Sequence, residues 1–153
     1  MQYQVEIEID LARDAVIEKF NNRENFKHWQ QGLLSLEHLS GIPGTKDAKT
    51  KLNYQMGKRT IEMLETITKV DFPESFHSTY EAKGVFNTQE NYFKEVNSQK
   101  TNWISKSHFS FTSLTMKLVG FLFPSSFKKQ SLKYMIDFKN FAENGISLAN
   151  DQD

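Results

Sequence analysis

The sequence contains no cysteine. This absence excludes thiol catalysis, thiolate metal sites and disulfide bonds, and it favours a reducing, cytoplasmic setting. Without disulfides, a chain of 153 residues must be stabilised by a hydrophobic core, and it is long enough to form one. We therefore predict a single domain over residues 1–145, followed by a flexible C-terminal tail over residues 146–153.

Charge and hydropathy exclude two further classes of protein. Nineteen basic residues balance nineteen acidic ones, so the overall charge does not favour a nucleic acid partner. The longest apolar run, residues 118–123, is far shorter than the roughly 20 residues that a membrane-spanning helix needs. The first residues also lack the basic and apolar regions of a signal peptide. We expect a soluble protein with no transmembrane segment.

Motifs for metals and nucleotides are also missing. The four histidines show neither HxH nor HExxH spacing, and there is no thiolate to complete a zinc site. The seven glycines form neither a dinucleotide-binding GxGxxG pattern nor a P-loop. We therefore predict no metal and no cofactor.

Aromatic side chains, by contrast, are abundant. The sequence has thirteen Phe, five Tyr and two Trp, together with five Met. Such side chains form broad and adaptable apolar surfaces. This composition directs attention to binding surfaces rather than to a reactive motif.

Hydrophobic periodicity predicts the order of the first elements. Alternation over residues 3–9 predicts a strand, and helical spacing predicts two short helices over residues 11–20 and 23–29, the first capped by Asp10. Six strands joined by short turns follow, over residues 33–39, 49–56, 60–70, 75–82, 85–96 and 101–111. Because the turns are short, neighbouring strands are expected to pair antiparallel.

Two helices are predicted after the last strand. Residues 114–123 form a short apolar helix, and Pro124 opens a long amphipathic helix that stops at Asn144-Gly145. A single long sheet must bury one face, and the terminal helix is the main candidate to cover it. The predicted architecture is therefore a sheet packed on a C-terminal helix.

This order of elements resembles the superfamily of START domains and birch-pollen allergens (SRPBCC), in particular its polyketide cyclase/dehydrase type. The local patterns that carry the resemblance are residues 9–16, Phe26-Lys27-His28-Trp29, Glu65-Thr66-Ile67 with Phe72-Pro73 after it, and the final amphipathic helix. The resemblance covers about residues 1–143. It implies an α+β helix-grip fold: an antiparallel seven-stranded sheet wrapped around a long C-terminal helix, with two short helices after the first strand.

The resemblance also implies a cavity between the sheet and the long helix. Members of the superfamily use it for lipids, sterols, isoprenoids or aromatic polyketides. Most members share no catalytic motif, so no catalytic residue is carried onto this chain.

Charge alternation indicates which face of each strand points toward the long helix. In the strand over residues 60–70, for example, Glu62 lies on one side, whereas Met63 and Ile67 lie on the other. The uncharged faces of the strands, the apolar face of the long helix and one neighbouring tryptophan supply the candidate ligand-binding residues: Trp29, Tyr54, Met63, Glu65, Tyr80, Asn87, Asn91, Phe93, Trp103, Phe109, Phe127, Tyr134, Met135 and Phe138.

Glu65 is the acidic residue placed well inside this uncharged face. A register in which paired residue numbers sum to about 145 sets Glu65 opposite Tyr80, and the next turn sets Tyr80 opposite Asn87. Buried carboxylates and amides need hydrogen-bond partners. These three polar groups therefore form either a satisfied layer that fixes strand register or a polar handle for a ligand hydroxyl or carbonyl.

The apolar run at residues 118–123 has two interpretations, burial beneath the long helix or a partly exposed lid, and we favour burial. We expect the opening of the cavity among Gly32, the loop at residues 41–44 and this run, with Trp29 near the rim. The lysines of the last helix and Lys117 are interpreted as a solvated face rather than as a site for phosphate or anionic lipid.

The leading hypothesis is a binding module, monomeric or homodimeric, that holds a hydrophobic or aromatic small molecule such as a lipid, an isoprenoid or a polyketide-like compound. Transport, sequestration or sensing would follow. One alternative is a cyclase- or dehydratase-type enzyme that uses Glu65, Tyr80 or Asn87 in the same cavity. The other is a chaperone-regulating interaction domain that works through the outer sheet face. Cavity volume, the protonation environment of Glu65 and exposed apolar patches outside the pocket are the features that discriminate them.

Overall fold

The computed structural model describes residues 1–149. Its N-terminal part consists of strand β1 (Gln2–Ile9), helix α1 (Arg13–Asn21), a 3-10 turn (Arg23–Asn25) and helix α2 (Phe26–Trp29). The central part consists of β2 (Leu33–Ser40), β3 (Lys49–Met56), β4 (Arg59–Asp71), β5 (Ser75–Ala82), β6 (Val85–Asn97) and β7 (Lys100–Phe111). The C-terminal part consists of helices α3 (Leu114–Leu122) and α4 (Pro124–Asn144).

The seven strands form one antiparallel sheet in the order β1-β7-β6-β5-β4-β3-β2. Strands β2 to β7 are a meander, because each pairs with the next in sequence through a short turn. Strand β1 crosses over to pair with β7. The predicted helix-grip α+β fold is confirmed, and the predicted ends of the six meander strands agree with the observed ones to within one residue.

The register of the central strands is also as predicted. Glu65 pairs with Tyr80 and Tyr80 pairs with Asn87, so the three residues form a row across β4, β5 and β6. A β-bulge between Ile67 and Lys69 shifts the pairing by one residue toward the turn. The bulge leaves the row itself unchanged.

Helix α4 lies across the concave face of the sheet and is held to β1 by polar contacts. The Tyr3 hydroxyl donates a hydrogen bond to the backbone carbonyl of Phe127 over 3.0 Å and is 2.6 Å from the hydroxyl of Ser131. Farther along the helix, Lys139 Nζ donates to the backbone carbonyl of Glu8 over 2.7 Å. These contacts fix the helix lengthwise on the sheet.

The packed core lies at one end of the gap between sheet and helix. Phe20 of α1 is buried there with five aromatic rings around it at centroid distances of 5.0 to 6.1 Å: Trp29, Phe76, Phe93, Trp103 and Phe138. Most of these pairs meet edge to face, which is a favourable aromatic geometry. We call these six residues the aromatic cluster.

The cap of α1 and part of the C-terminal tail differ from what the sequence predicts. Asp10 is not the cap of α1: the helix begins at Arg13, and the backbone N–H of Asp10 donates to Glu143 of α4 instead. Within the predicted tail, the Ser147 hydroxyl lies 2.6 Å from His28 Nδ1, so residue 147 contacts the domain. Residues 150–153 of that tail lie outside the described residues.

Candidate ligand cavity

A cavity of about 820 Å³ lies between the concave face of the sheet and α4. The aromatic cluster bounds one end, because Phe20, Phe76 and Trp103 contribute to its wall. Most wall residues are aromatic or aliphatic. The volume lies within the range of roughly 300 to 1,000 Å³ that is typical of small-molecule sites.

The structure brings most of the candidate residues together on this wall. Twelve of the fourteen line the cavity: Trp29, Tyr54, Met63, Glu65, Tyr80, Asn87, Asn91, Trp103, Phe109, Phe127, Tyr134 and Met135. Phe93 and Phe138 do not line it. They point inward as expected, but both are fully buried in the aromatic cluster, where their rings pack on other side chains.

The polar centre of the wall is an ion pair with one more donor. Glu65 is buried, its Oε1 accepts a hydrogen bond from Arg23 Nη2 over 2.7 Å, and its Oε2 accepts one from the Tyr80 hydroxyl over 3.1 Å. Both carboxylate oxygens are therefore engaged, and the carboxylate has a cationic partner inside the fold. Asn87 pairs with Tyr80 in the sheet but donates no hydrogen bond to Glu65.

Arg23 is a site residue that was not predicted from the sequence. It comes from the 3-10 turn between α1 and α2, 42 residues before Glu65, and no local pattern connects the two. One signal was available, because a buried carboxylate requires a compensating charge and only a few basic side chains lie near the first two helices. Arg23 also lies over the ring of Phe26, with 5.4 Å between the guanidinium carbon and the ring centroid.

The two inward asparagines of β6 differ in their hydrogen bonds. Asn91 is buried, and its Oδ1 accepts a hydrogen bond from Trp103 Nε1 over 2.9 Å. Asn87 Oδ1 is buried without any partner among residues 1–149, and the same holds for Arg23 Nη1 and Trp29 Nε1. All three unpartnered atoms belong to residues of the cavity wall. Each such atom is costly to bury alone.

Tyrosines on the wall are poor acids. Burial is the main cause that raises the pKa of Tyr54, Tyr80 and Tyr134 above the ordinary value, and the nearby Glu65 carboxylate raises the pKa of Tyr80 further. The three hydroxyls therefore stay protonated near neutral pH. Tyr54 and Tyr80 donate their hydroxyl hydrogens within the protein, to Gln30 Oε1 and Glu65 Oε2.

The mouth of the cavity lies between the β3–β4 and β5–β6 turns and helix α3. Exposed wall residues lie at both turns, where Arg59 is the first residue of β4 and Lys83 directly follows β5, and Met116 comes from α3. Neither Gly32 nor any residue of the 41–44 loop lines the cavity, and Trp29 is buried in the aromatic cluster rather than at the rim. Of the elements expected at the opening, only α3 contributes to the wall, and it does so through Met116 rather than through residues 118–123.

The favoured burial of residues 118–123 is also wrong. Leu118 and Phe121 are 57% and 82% exposed, whereas Gly120 is the buried residue of α3. The helix is apolar nearly all round, so hydropathy alone does not select the face that packs. Among residues 1–149, no helix has the length and hydropathy needed to cross a membrane.

The chain is similar to known proteins in its structure. No family model and no curated protein matches the chain. Many solved structures do. The Zhui aromatase/cyclase from Streptomyces sp. R1128 superposes with a TM-score of 0.80 at 11% identity, covering 97% of both chains.

Two further structures superpose in the same way. Ginseng major latex-like protein 151 from Panax ginseng gives a TM-score of 0.73 at 13% identity, covering 93% of this chain and 97% of its own. Ara h 8.0201 gives 0.69 at 10% identity, with 93% and 97% covered. At such identities the similarity concerns the fold. The chain thus has the helix-grip fold that these structures share.

Proposed function

We propose that this protein binds a hydrophobic or aromatic small molecule, such as a lipid, an isoprenoid or a polyketide-like compound, in the cavity between the sheet and α4. The observation that carries the proposal is the cavity itself, about 820 Å³ with a largely apolar wall. Proteins of this size normally pack their interiors densely. A cavity of ligand size in the middle of the fold therefore calls for an occupant.

The polar groups on the wall support an amphipathic ligand. Glu65, held by Arg23 and Tyr80, offers a polar point on a wall that is largely apolar. Asn87 Oδ1 has no partner among the described residues, so a ligand hydroxyl that donates to it would remove the cost of burying it alone. We propose this row as the handle that orients a ligand hydroxyl or carbonyl.

Native mass spectrometry of freshly purified protein is the first test, because it detects a co-purified molecule of any chemical class. Fluorescence titration with fatty acids, flavonoids and isoprenoids is the second. Both tryptophans, Trp29 and Trp103, line the cavity and report on its contents. A bound molecule or a saturable response is expected, whereas a flat response to every class together with an empty mass spectrum contradicts the proposal.

A matched pair of variants on β6 tests where the molecule binds. Val85 lines the cavity near its mouth, and Val96 lies exposed at the other end of the same strand. Val85→Phe should lower the affinity by about tenfold or more by occupying part of the site, since even one methylene changes the fit of a packed site. Val96→Phe should leave the affinity unchanged. Equal effects would place the binding site elsewhere.

Glu65→Gln separates a ligand handle from a layer that fixes strand register. A handle predicts a lower affinity for a hydroxylated ligand and little change for its deoxy analogue, at near-normal thermal stability. A register layer predicts a clear loss of stability with binding unchanged in the folded fraction. A variant with both properties unaltered excludes both roles.

Catalysis in the same cavity is less well supported. A general base has to take up a proton from the substrate, but Glu65 is paired with the Arg23 guanidinium over 2.7 Å, and protonating the carboxylate would weaken that ion pair. The raised pKa of Tyr80 makes this hydroxyl a weak acid. For an interaction domain that uses the outer sheet face, the exposed charged residues there, such as Lys94 of β6, offer little apolar surface. We therefore propose binding as the function.

A further inference from the structure

Helix α3 and the residue after it expose a continuous apolar surface. We call it the α3 patch, and it consists of Leu114, Leu118, Phe121, Leu122 and Phe123. Each of these side chains is at least half exposed, with Leu114 at 84% and Phe121 at 82%. At 100° per residue, the four helical members lie on one side of α3. Contiguous exposed apolar patches of this kind mark interaction surfaces.

The orientation of the patch is fixed by contacts on the opposite side of the helix. Gly120 lies so close to β7 that a Cβ at this position would be 2.5 Å from the ring of Phe111. Met116 on the same side lines the cavity, and the Ser113 hydroxyl accepts a hydrogen bond from the Met116 backbone N–H. With this side packed, the α3 patch has to face solvent.

The charged side chains on α3 and in the first turns of α4 are all basic. Lys117 lies on α3, and Lys128 and Lys129 lie in the first turns of α4, all three exposed. None of them forms an ion pair within residues 1–149. From Val96 to Ile136 the sequence has no Asp or Glu, and the acidic residues at the cavity wall come from β4 and β5. Within this stretch of the chain, the charged side chains that accompany the apolar surface are therefore all basic.

We infer that the α3 patch docks onto the surface of an anionic lipid bilayer. Exposed Leu and Phe side chains next to lysines are the combination that binds the interface of a membrane, where apolar groups enter the acyl boundary and the ammonium groups meet anionic headgroups. A second copy of this chain fits less well, because a two-fold contact through the patch would bring its lysines against the same lysines. Docking would be peripheral.

This inference does not depend on the proposed ligand. It does connect with the cavity, because Met116 lies on the wall while Leu118 and Phe121 face outward from the same helix. A docked protein would therefore have its cavity mouth beside the bilayer. Ligand binding and membrane docking are measured separately, so failure of one leaves the other standing.

Vesicle flotation of the full chain tests the inference. Vesicles of phosphatidylcholine alone are compared with vesicles that contain about 30% phosphatidylserine. We expect the protein to float with the anionic vesicles and to bind neutral ones at least tenfold more weakly. Raising the salt to about 0.5 M should release most of the protein, because the lysines are exposed and their attraction is screened.

Variants identify the surface. Phe121→Ser and Leu118→Ser should each lower the partition coefficient by about tenfold, as expected for losing a large apolar side chain from the interface. Ile42→Ser is the matched control, since Ile42 is 72% exposed but lies in the loop far along the chain from α3, and it should bind as the parent does. The triple variant Lys117→Gln/Lys128→Gln/Lys129→Gln should lose about a hundredfold on anionic vesicles.

Several outcomes overturn the inference. Absence of flotation with both vesicle types does so directly, and so does binding that Phe121→Ser leaves unchanged while the protein remains folded by circular dichroism. Sedimentation velocity tests whether a second copy of the chain binds the patch instead. If the protein is a dimer that Phe121→Ser dissociates, and if it does not bind vesicles, the patch is a dimer interface. Undiminished ligand binding by Phe121→Ser would show that the cavity is independent of the patch.

Discussion

The two halves of helix α4 face the same sheet, but the C-terminal half packs in the core whereas the N-terminal half borders the cavity. In the C-terminal half, Met135, Phe138 and Ala142 are buried, and Phe138 packs on the aromatic cluster. In the N-terminal half no residue is fully buried, and Phe127 and Tyr134 line the cavity. The gap between helix and sheet is thus closed at one end and open at the other.

The difference is explained by what else enters the gap. At the closed end, α1 and α2 contribute Phe20 and Trp29, which fill the space between Phe138 and Trp103. At the open end the nearest extra element is α3, which contributes Met116 and then turns its large side chains outward. A helix-grip sheet therefore has a cavity where no third element fills it.

The comparison predicts that the same substitution has different costs in the two halves. Phe138→Ala should lower the free energy of unfolding by about 3 to 5 kcal/mol, because it leaves a void in a packed cluster. Phe127→Ala should cost only about 1 kcal/mol, because Phe127 is half-buried and borders a cavity that already exists. Urea unfolding at neutral pH measures both.

Equal costs for these two variants would contradict the comparison, because they would mean that the open half is packed in solution. The slope of the urea transition serves as the control. It should be unchanged in both variants if each alters stability without altering the surface exposed on unfolding.

The second prediction concerns the ion pair at the boundary between the halves. Arg23→Met removes the cationic partner of Glu65, whose side chain is only 3% exposed, and should cost about 3 kcal/mol. The double variant Arg23→Met/Glu65→Leu should recover most of this loss, because no buried charge remains unpaired. A double variant no more stable than Arg23→Met would mean that the pair fixes the position of the 3-10 turn rather than neutralising a charge.

This ion pair also shows where prediction from sequence stops. The pairing of Glu65 with Tyr80 could be predicted because a sheet has a period of two and short turns fix its register. Helix starts at Pro124 and stops at Gly145 were predictable for similar local reasons. Arg23 could not be assigned to Glu65, since that contact depends on how α1 and α2 fold over the sheet.

The outward face of α3 was unpredictable for a related reason. Residues 118–123 are all apolar, so no periodic signal within this run distinguishes the packed face from the free one. The decisive residue is Gly120, whose missing side chain allows contact with Phe111. A small residue in an apolar helix was the available signal, and it indicates close approach.

Alkaline pH should lower the free energy of unfolding mainly through the buried tyrosines that line the cavity. The pKa of Tyr80 is raised well above its unfolded value, chiefly by burial and then by Glu65. Above about pH 10 the unfolded chain loses this proton while the folded one keeps it, so stability present below pH 10 declines as the pH rises further. Each such tyrosine contributes a slope of about 1.4 kcal/mol per pH unit.

Tyr80→Phe should make the free energy of unfolding fall less steeply with rising pH, because the contribution of one buried tyrosine, about 1.4 kcal/mol per pH unit, is removed. The slope of stability against pH is the quantity to compare, because loss of the hydrogen bond to Glu65 lowers stability equally at every pH. Urea unfolding at several pH values between about 9 and 11 measures this slope. An unaltered slope in Tyr80→Phe would indicate that Tyr80 titrates in the folded protein, and hence that water reaches this part of the cavity.

The smallest predicted effect distinguishes two asparagines on one face of β6. Asn87→Leu removes an amide oxygen that is buried without a partner in residues 1–149, and it should raise the free energy of unfolding by about 1 kcal/mol while weakening ligand binding. Asn91→Leu is the matched control: it leaves Trp103 Nε1 without its acceptor and should destabilise the protein by about 1 to 3 kcal/mol. Both asparagines line the cavity, but Asn91 is bonded to Trp103 of the aromatic cluster, whereas Asn87 lies farther along β6 toward the open end. If Asn87→Leu is instead destabilising to the same degree as Asn91→Leu, Asn87 is a structural residue, and the boundary between the two halves lies nearer the cavity mouth than the hydrogen bonds indicate.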